Sequence, residues 1–296
     1  MRWPPPPDWP NRDLSRQVMC KPHRWHVQED GTGPTLILIH GAGGSVHSFR
    51  DLLPILARDF HVVAIDLPGQ GLTQLGARHR CGLEQMATDL ISLIRQQGWH
   101  PKALIGHSAG GALALRVSQQ LKPTPAIVGI NPALGHFEGV AGVLFPVMAK
   151  LLALTPGVAG FFSRSAANPA RVRNLIETTG TTLPEEGLAL YRRLVADRGH
   201  VDATLLMMAQ WSLDDLLADL QSVRAPALFL AGDKDEAVPP SIPEAAARRM
   251  PNAHVVHLPG LGHLAHEEAP ELIAGHITAF LGKLPSRIRL VERPQD

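Results

Sequence analysis

From residue 23 onward, short and wholly apolar runs alternate with longer stretches in which apolar residues recur every three or four positions. The runs at 35–40 and 61–66 hold the continuous blocks Leu36-Ile37-Leu38-Ile39 and Val62-Val63-Ala64-Ile65, the pattern of strands covered on both faces. Further strands are predicted at 102–107, 126–131, 227–231 and 254–258. Segment 24–28 reads as a first strand ahead of the turn Glu29-Asp30-Gly31. Between the strands, Phe49, Leu52, Leu53 and Leu56 fall at helical spacing. Helices are also predicted at 83–97, stopping near Gly98, and at 109–121, 242–250 and 271–284. Strand and helix in alternation predict an α/β fold: a mostly parallel central sheet with helices on both faces.

Between Asn131 and Ala225 the alternation stops, and helical patterning continues with no convincing strand. An insertion between two strands of a parallel sheet is placed to roof a site at the strands' carboxyl ends. The expected organisation is therefore a Pro-rich arm at 1–22, a core at 23–133 and 220–286, a helical cap at 134–219 and a polar tail at 287–296. The arm, Trp3-Pro4-Pro5-Pro6-Pro7-Asp8-Trp9-Pro10, should run as polyproline II. Its two tryptophans would anchor it on its own domain or hold a partner.

Composition narrows the classes. With 28 Lys+Arg against 27 Asp+Glu over 296 residues the chain carries a formal charge of +1, and its basic residues form no long run. Nothing there grips a phosphate backbone, so no nucleic-acid partner is expected. At 45% hydrophobic and 19% charged, the chain has the composition of a folded domain rather than of a disordered tail. Cys20 and Cys81 are too few for a disulfide framework and lack metal-ligand spacing. One disulfide between them stays open, but a reducing compartment, the cytoplasm, is the simpler expectation. The N-terminus lacks the apolar core of a signal peptide. The most apolar stretch, 140–162, is broken by Pro146, Lys150 and Pro156, so no transmembrane span is expected.

The sharpest local signal is Gly106-His107-Ser108-Ala109-Gly110-Gly111, between a predicted strand and a predicted helix. A nucleophile elbow needs this grammar: the chain turns so tightly at the serine that residues two positions away must be small, and the turn lifts Ser108 Oγ into the cleft. A serine hydroxyl also needs a base to take its proton and a carboxylate to orient that base. Both follow in the order this topology demands. Gly232-Asp233-Lys234-Asp235-Glu236 comes after one strand and Gly260-Leu261-Gly262-His263 after the next. His263 is the candidate base, with His266 as a competitor or, with it, a metal pair; the third ligand and H-E-x-x-H or Cys pattern of a zinc site are missing. Asp235 is the preferred acid, since Asp233 after Gly232 has the position of a turn former. Glu236 is the third option, and Asn131 is not ionisable.

The glycine loop His40-Gly41-Ala42-Gly43-Gly44 can turn backbone N–H groups toward the cleft. The Ala42 and Ala109 N–H groups are the candidate oxyanion hole, and one such donor contributes about 3 to 4 kcal/mol to the transition state. Phosphate binding is the rival use of that loop, but both phosphate-loop spacings fail. His40 and His107 are expected to brace the turns, and Asp66 to organise its own loop. In the insertion, Val140, Val143, Leu144, Val147, Met148, Leu151 and Leu152 recur at helical spacing, followed by Phe161-Phe162. They would pack on the core, line an apolar pocket (Leu144, Met148 and Phe161 being the candidates), or touch a membrane interface, in that order of preference over the last two.

From about Arg24 to Leu284 these pieces resemble the α/β-hydrolase fold, with Ser108, Asp235 and His263 matching its triad in order and context. Dehalogenases and epoxide hydrolases of similar architecture carry an aspartate at the elbow, and Ser108 departs from both. A narrower resemblance rests on four segments: Trp3 to Pro10, Pro22-His23-Arg24-Trp25-His26-Val27-Gln28, Asn131-Pro132-Ala133-Leu134-Gly135-His136-Phe137-Glu138-Gly139, and Met208-Ala209-Gln210-Trp211-Ser212. These look like the BchO family, magnesium-chelatase accessory proteins of bacteriochlorophyll-making bacteria. That resemblance implies a role around magnesium insertion into protoporphyrin IX, with magnesium-chelatase subunits as partners and a small apolar, tetrapyrrole-related ester as a candidate substrate. Two functions follow. One is a serine hydrolase of esters, thioesters or lactones that needs no metal or organic cofactor. The other is an accessory that binds the chelatase or its porphyrin on a hydrolase fold.

Overall fold

In the computed structural model, residues 1–135 and 168–284 are described. The apolar runs form one eight-stranded sheet: β1 (Ser15–Cys20), β2 (His23–Asp30), β3 (Thr35–Ile39), β4 (His61–Ile65), β5 (Pro101–His107), β6 (Ala126–Ile130), β7 (Ala227–Gly232) and β8 (Ala253–Leu258), in the order β1-β2-β4-β3-β5-β6-β7-β8. From β4 to β8 all neighbours run parallel, while β1–β2 and β2–β4 are antiparallel. The alternation of side chains along each strand sorts the core into two layers. Ile37, Ile39, Val63, Ile65 and Leu104 face α2 (Leu83–Gln96) and α3 (Ala109–Gln120). Leu36, Leu38, Val62, Ala64 and Ile105 face α1 (Leu52–Leu56) and α10 (Pro270–Lys283).

Two elements depart from the pattern reading. Residues 15–20, taken as part of the arm, are strand β1, paired from Ser15↔Gln28 to Cys20↔His23. At a sheet edge only Val18 and Cys20 turn inward, so four of its six residues stay partly or fully in solvent and no apolar run announces it. The 49–56 helix is a 3-10 turn at Val46–Phe49 followed by α1, where Pro54 is tolerated because it lies in the first turn.

Between β6 and β7 the described residues hold α4 (Pro169–Glu177), α5 (Glu185–Ala196), α6 (Arg198–Gln210) and α7 (Asp214–Asp219). The remaining helices are α8 (Ser241–Arg249) after β7, and α9 (Ala265–Glu268) before α10. The Pro-rich start lies against the cap: Trp9 is buried among Val172 and Ile176 of α4 and Leu188, Tyr191 and Leu194 of α5, and Asp8 pairs with Arg193. Trp3 stacks at a tilt on His26, ring centroids 5.9 Å apart. Cys20 and Cys81 are both free and buried, so the disulfide alternative is not formed; burial pushes the Cys81 thiol up to about 11. Among the described residues, no helix is long and apolar enough to cross a membrane. The pocket candidates Leu144, Met148 and Phe161, and the tail 287–296, lie outside the described residues.

Candidate active site

The parallel strands end on one side of the sheet, and the loops that leave them there bring the candidate residues together. After β5 the chain reverses at Ser108, which has φ 52° and ψ −120° and stands half-buried immediately before α3. A non-glycine residue in this conformation is strained, and the surroundings hold it. The Ser108 N–H donates to Ile130 O (3.0 Å), and its carbonyl accepts from Gly111 N (2.9 Å) and Ala133 N (3.0 Å). The two flanking glycines are required by contact. A Cβ on Gly106 would collide with the Gly110 carbonyl, and one on Gly110 with the Ile39 carbonyl.

Asp235 follows β7 and is buried. Its Oδ1 accepts from the N–H groups of Ala237 (2.9 Å) and Val238 (2.7 Å), which fixes the carboxylate and leaves Oδ2 facing His263 Nδ1 at 2.7 Å. That contact places the donor hydrogen on Nδ1 and turns Nε2 away from the carboxylate. Asp233 instead meets His257 (3.0 Å) in solvent, and the Glu236 side chain is exposed. Of the three acids, the structure brings Asp235 to His263. No hydrogen bond joins Ser108 to His263 in this state, as is common before substrate tightens such sites.

His266 is fully buried and neither of its ring nitrogens has a partner. Burial, followed by the nearby His263 and Arg50, holds it down at about 3. It packs between Phe49 and His107, at ring-centroid distances of 5.2 and 4.5 Å, as a neutral core side chain. His107, also driven well down by burial, donates from Nε2 to His263 O (2.9 Å). Among the described residues no three His, Cys, Asp or Glu side chains are grouped to hold a metal ion.

The glycine loop after β3 is braced on several sides. His40 Nδ1 donates to Gly41 O (2.7 Å), and its Nε2 accepts from Leu67 N (2.9 Å). Asp66 accepts from Val46 N and Leu72 N (2.7 Å each) and from His26 Nδ1 (2.6 Å), tying that loop to the 67–73 turn. Although burial opposes it, His26 and these donors hold the Asp66 carboxyl down at about 2. A Cβ on Gly41 would stand 2.9 Å from Ser108 Cβ, so the loop passes directly beside the elbow. Neither the Ala42 nor the Ala109 N–H finds an acceptor among the described residues.

Three groups of contacts had no sequence signature. Asn131, at φ 45° after β6, donates from Nδ2 to Gly262 O (2.9 Å) and His263 O (2.8 Å) and accepts from Gly232 N at 2.7 Å, so one buried amide ties the acid loop to the base loop. The cap segment between α4 and α5 enters the same space. Thr179 O accepts from the N–H groups of Glu236 (3.3 Å) and His263 (3.2 Å), and Thr181 Oγ1 from Leu264 N (2.9 Å). Finally, Glu267 beside the base loop is paired with Arg50 and accepts from Tyr191 Oη of α5 (2.6 Å). Thr, Asn and Tyr at these positions look like ordinary loop and helix residues until the partner loops are in place.

Comparison with known proteins agrees with the fold. The model of the alpha/beta hydrolase fold matches residues 34–270. The chain is 42% identical to the magnesium-chelatase 30 kDa subunit of Rhodobacter capsulatus, over 93% of this chain and 97% of that one. Among solved structures it is similar to the epoxide hydrolase CorEH (TM-score 0.76, 20% identity, covering 92% of this chain and 99% of that one). It is also similar to an alpha/beta hydrolase fold protein from Burkholderia ambifaria (TM-score 0.74, 24% identity, 90% and 98%).

Proposed function

The chain belongs to the alpha/beta hydrolase fold family, and from that premise we propose that it is a serine hydrolase of an apolar carboxylic ester, thioester or lactone. The observation that carries the proposal is the 2.7 Å Asp235–His263 pair on the loops after β7 and β8, at the same end of the sheet as the strained Ser108 elbow after β5.

In the proposed reaction Ser108 Oγ attacks the substrate carbonyl carbon and its proton passes to His263 Nε2. Asp235 holds the imidazole in the Nδ1–H form and stabilises the imidazolium. The Ala42 and Ala109 N–H groups receive the negative charge that develops on the carbonyl oxygen. The intermediate then expels the alcohol or thiol, which takes the proton from His263, leaving an acyl-Ser108 ester. Water, deprotonated by His263, attacks that ester, and the carboxylic acid and free Ser108 are released. No step calls for a metal or an organic cofactor.

The likeness to a magnesium-chelatase subunit supports placing this activity beside magnesium insertion into protoporphyrin IX, with chelatase subunits as partners. A tetrapyrrole-related or isoprenoid-like apolar ester is the substrate class to search first. The same likeness favours a second reading, a non-catalytic accessory to the chelatase. The Ser108–His263 hydrogen bond is not made in this state, which is compatible with it.

Labelling with a fluorophosphonate, followed by mass spectrometry of the adduct, separates the two. The hydrolase reading expects an adduct on Ser108 that His263→Ala abolishes. A protein that stays unlabelled by both a bulky fluorophosphonate and the smaller diisopropyl fluorophosphate is the accessory.

A further inference from the structure

The face of cap helix α6 bearing His200, Ala203, Thr204 and Met207 has the i, i+3, i+4, i+7 spacing of a packing stripe, and it meets two loops of the core. A Cβ on Gly69 would stand 2.5 Å from Ala203 Cβ, and one on Gly43 would stand 3.6 Å from Thr204 Cγ2. Gln70, which accepts from Gly43 N at 2.8 Å, lays its amide nitrogen 3.2 Å from Met207 Sδ. One side chain grips both loops at once. The buried imidazole of His200 accepts from Gly71 N at Nδ1 (3.0 Å) and donates from Nε2 to Gly43 O (3.1 Å).

We propose that His200 of the cap is a positioning residue for the reaction: it clamps Gly43 to Gly71 and so fixes the glycine loop with its Ala42 N–H aimed at the cleft. This inference rests on the hydrolase reading above. The two contacts require one ring nitrogen bare and the other protonated, which only the neutral imidazole provides. Burial, reinforced by the cationic N-terminal amine, holds His200 down at about 4 and keeps that form in neutral solution. Gly43 has φ 76°, where the backbone is free to take other conformations, so its carbonyl needs an external partner to settle the peptide orientations beside it. Both ends of the clamp belong to the core and its jaw belongs to the cap. The Ala42 donor therefore takes up its working geometry only with α6 seated, which makes the cap part of the catalytic frame as well as its roof.

The test follows the saturation kinetics of fluorophosphonate labelling at Ser108, whose phosphonyl oxygen occupies the same donors as an acyl oxyanion. His200→Leu removes both contacts. His200→Gln can present a donor where Nε2 stood, and His200→Asn presents an acceptor only where Nδ1 stood. With the clamp as proposed, His200→Leu and His200→Asn lower the limiting labelling rate about tenfold with the half-saturating concentration unchanged, because donor alignment matters in the transition state. His200→Gln recovers most of the rate. Amide hydrogen exchange of 41–45 and 69–72 rises in the Leu and Asn variants while that of the sheet strands does not.

Equal labelling rates in wild type and His200→Asn would overturn the inference and leave the hydrolase reading standing. A rate loss accompanied by weaker probe binding and not recovered by Gln would reduce His200 to a packing residue of the cap. Absence of any adduct on wild-type Ser108 would remove the hydrolase reading and the positioning role together. Should His200→Leu fail to fold, the Gln–Asn pair decides alone, since both keep a polar side chain at the position.

Discussion

His266 offers a sharp test of how this site is built, because it is a buried imidazole with neither nitrogen partnered. In the folded protein it is held at about 3, against 6.5 for an unperturbed histidine, by burial and then by the nearby His263 and Arg50. Between those values the unfolded chain binds a proton that the folded chain refuses, so stability falls as the pH drops below 6.5. At pH 5 an unfolded histidine is about 97% protonated. The linkage relation then gives a loss of about 2 kcal/mol between pH 7 and pH 5 from this residue alone. The figure depends on the unfolded value, provided the folded one lies well under 5.

Replacing His266 with Leu, of similar volume, removes the titration together with two unpartnered nitrogens. The variant should be about 1 kcal/mol more stable than wild type at pH 7. It should also lose about 2 kcal/mol less on acidification to pH 5. Urea unfolding followed by tryptophan fluorescence at the two pH values measures both differences. The other depressed histidines, His40, His47, His107 and His200, are shared by both proteins and cancel in the comparison. Identical acid losses in the two proteins would refute the reasoning, since they would mean that His266 takes up its proton in the native state as readily as in the unfolded one.

Asn131→Asp replaces an amide that donates to two carbonyls of the base loop with a carboxylate that repels them, and fluorophosphonate labelling of Ser108 should slow by about 10- to 100-fold. Glu267→Gln leaves the partly buried Arg50 with the exposed Asp51, 3.3 Å away, as its remaining carboxylate partner and should cost about 3 kcal/mol in urea unfolding. Tyr191→Phe, which removes one hydrogen bond to that carboxylate, should cost about 2 kcal/mol; equal costs would contradict the assigned network. Gly180 has φ 76°, and a Cβ there would run into the Lys234 carbonyl. Gly180→Ala should therefore push the acid loop away from His263 and slow labelling about tenfold, and an unchanged rate would show that the loop gives way without disturbing Asp235.

Strands β3, β4, β6 and β7 were legible because each is an apolar run with both faces covered, a property of consecutive residues. Strand β1 escaped because an edge strand with two inward side chains has no such run. The elbow was legible for the same local reason. The collision that forbids a Cβ at Gly106 comes from the Gly110 carbonyl, where the chain folds back on itself within five residues, so that part of the motif carries its own geometry, whereas Gly110 is required by the Ile39 carbonyl of the neighbouring strand. The choice of acid was less so: Asp233, Asp235 and Glu236 lie within four positions, and only the turn that sends two N–H groups to Asp235 Oδ1 separates them.

What the sequence determined by itself was therefore the class of fold, the tight turn at Ser108 and the short stretches that hold the candidate base and the candidate acid, since these depend largely on near neighbours in the chain. The tertiary structure alone decided that His263 rather than His266 meets the carboxylate. It also decided that Asn131 joins loops about 100 and 130 residues further along the chain, and that a cap histidine reaches back about 130 and 157 residues to the loops it clamps. Such contacts involve single polar atoms that give no periodicity and no spacing rule. They exist only once the sheet order has brought the ends of β3, β5, β6, β7 and β8 to one side and the cap has come down upon them.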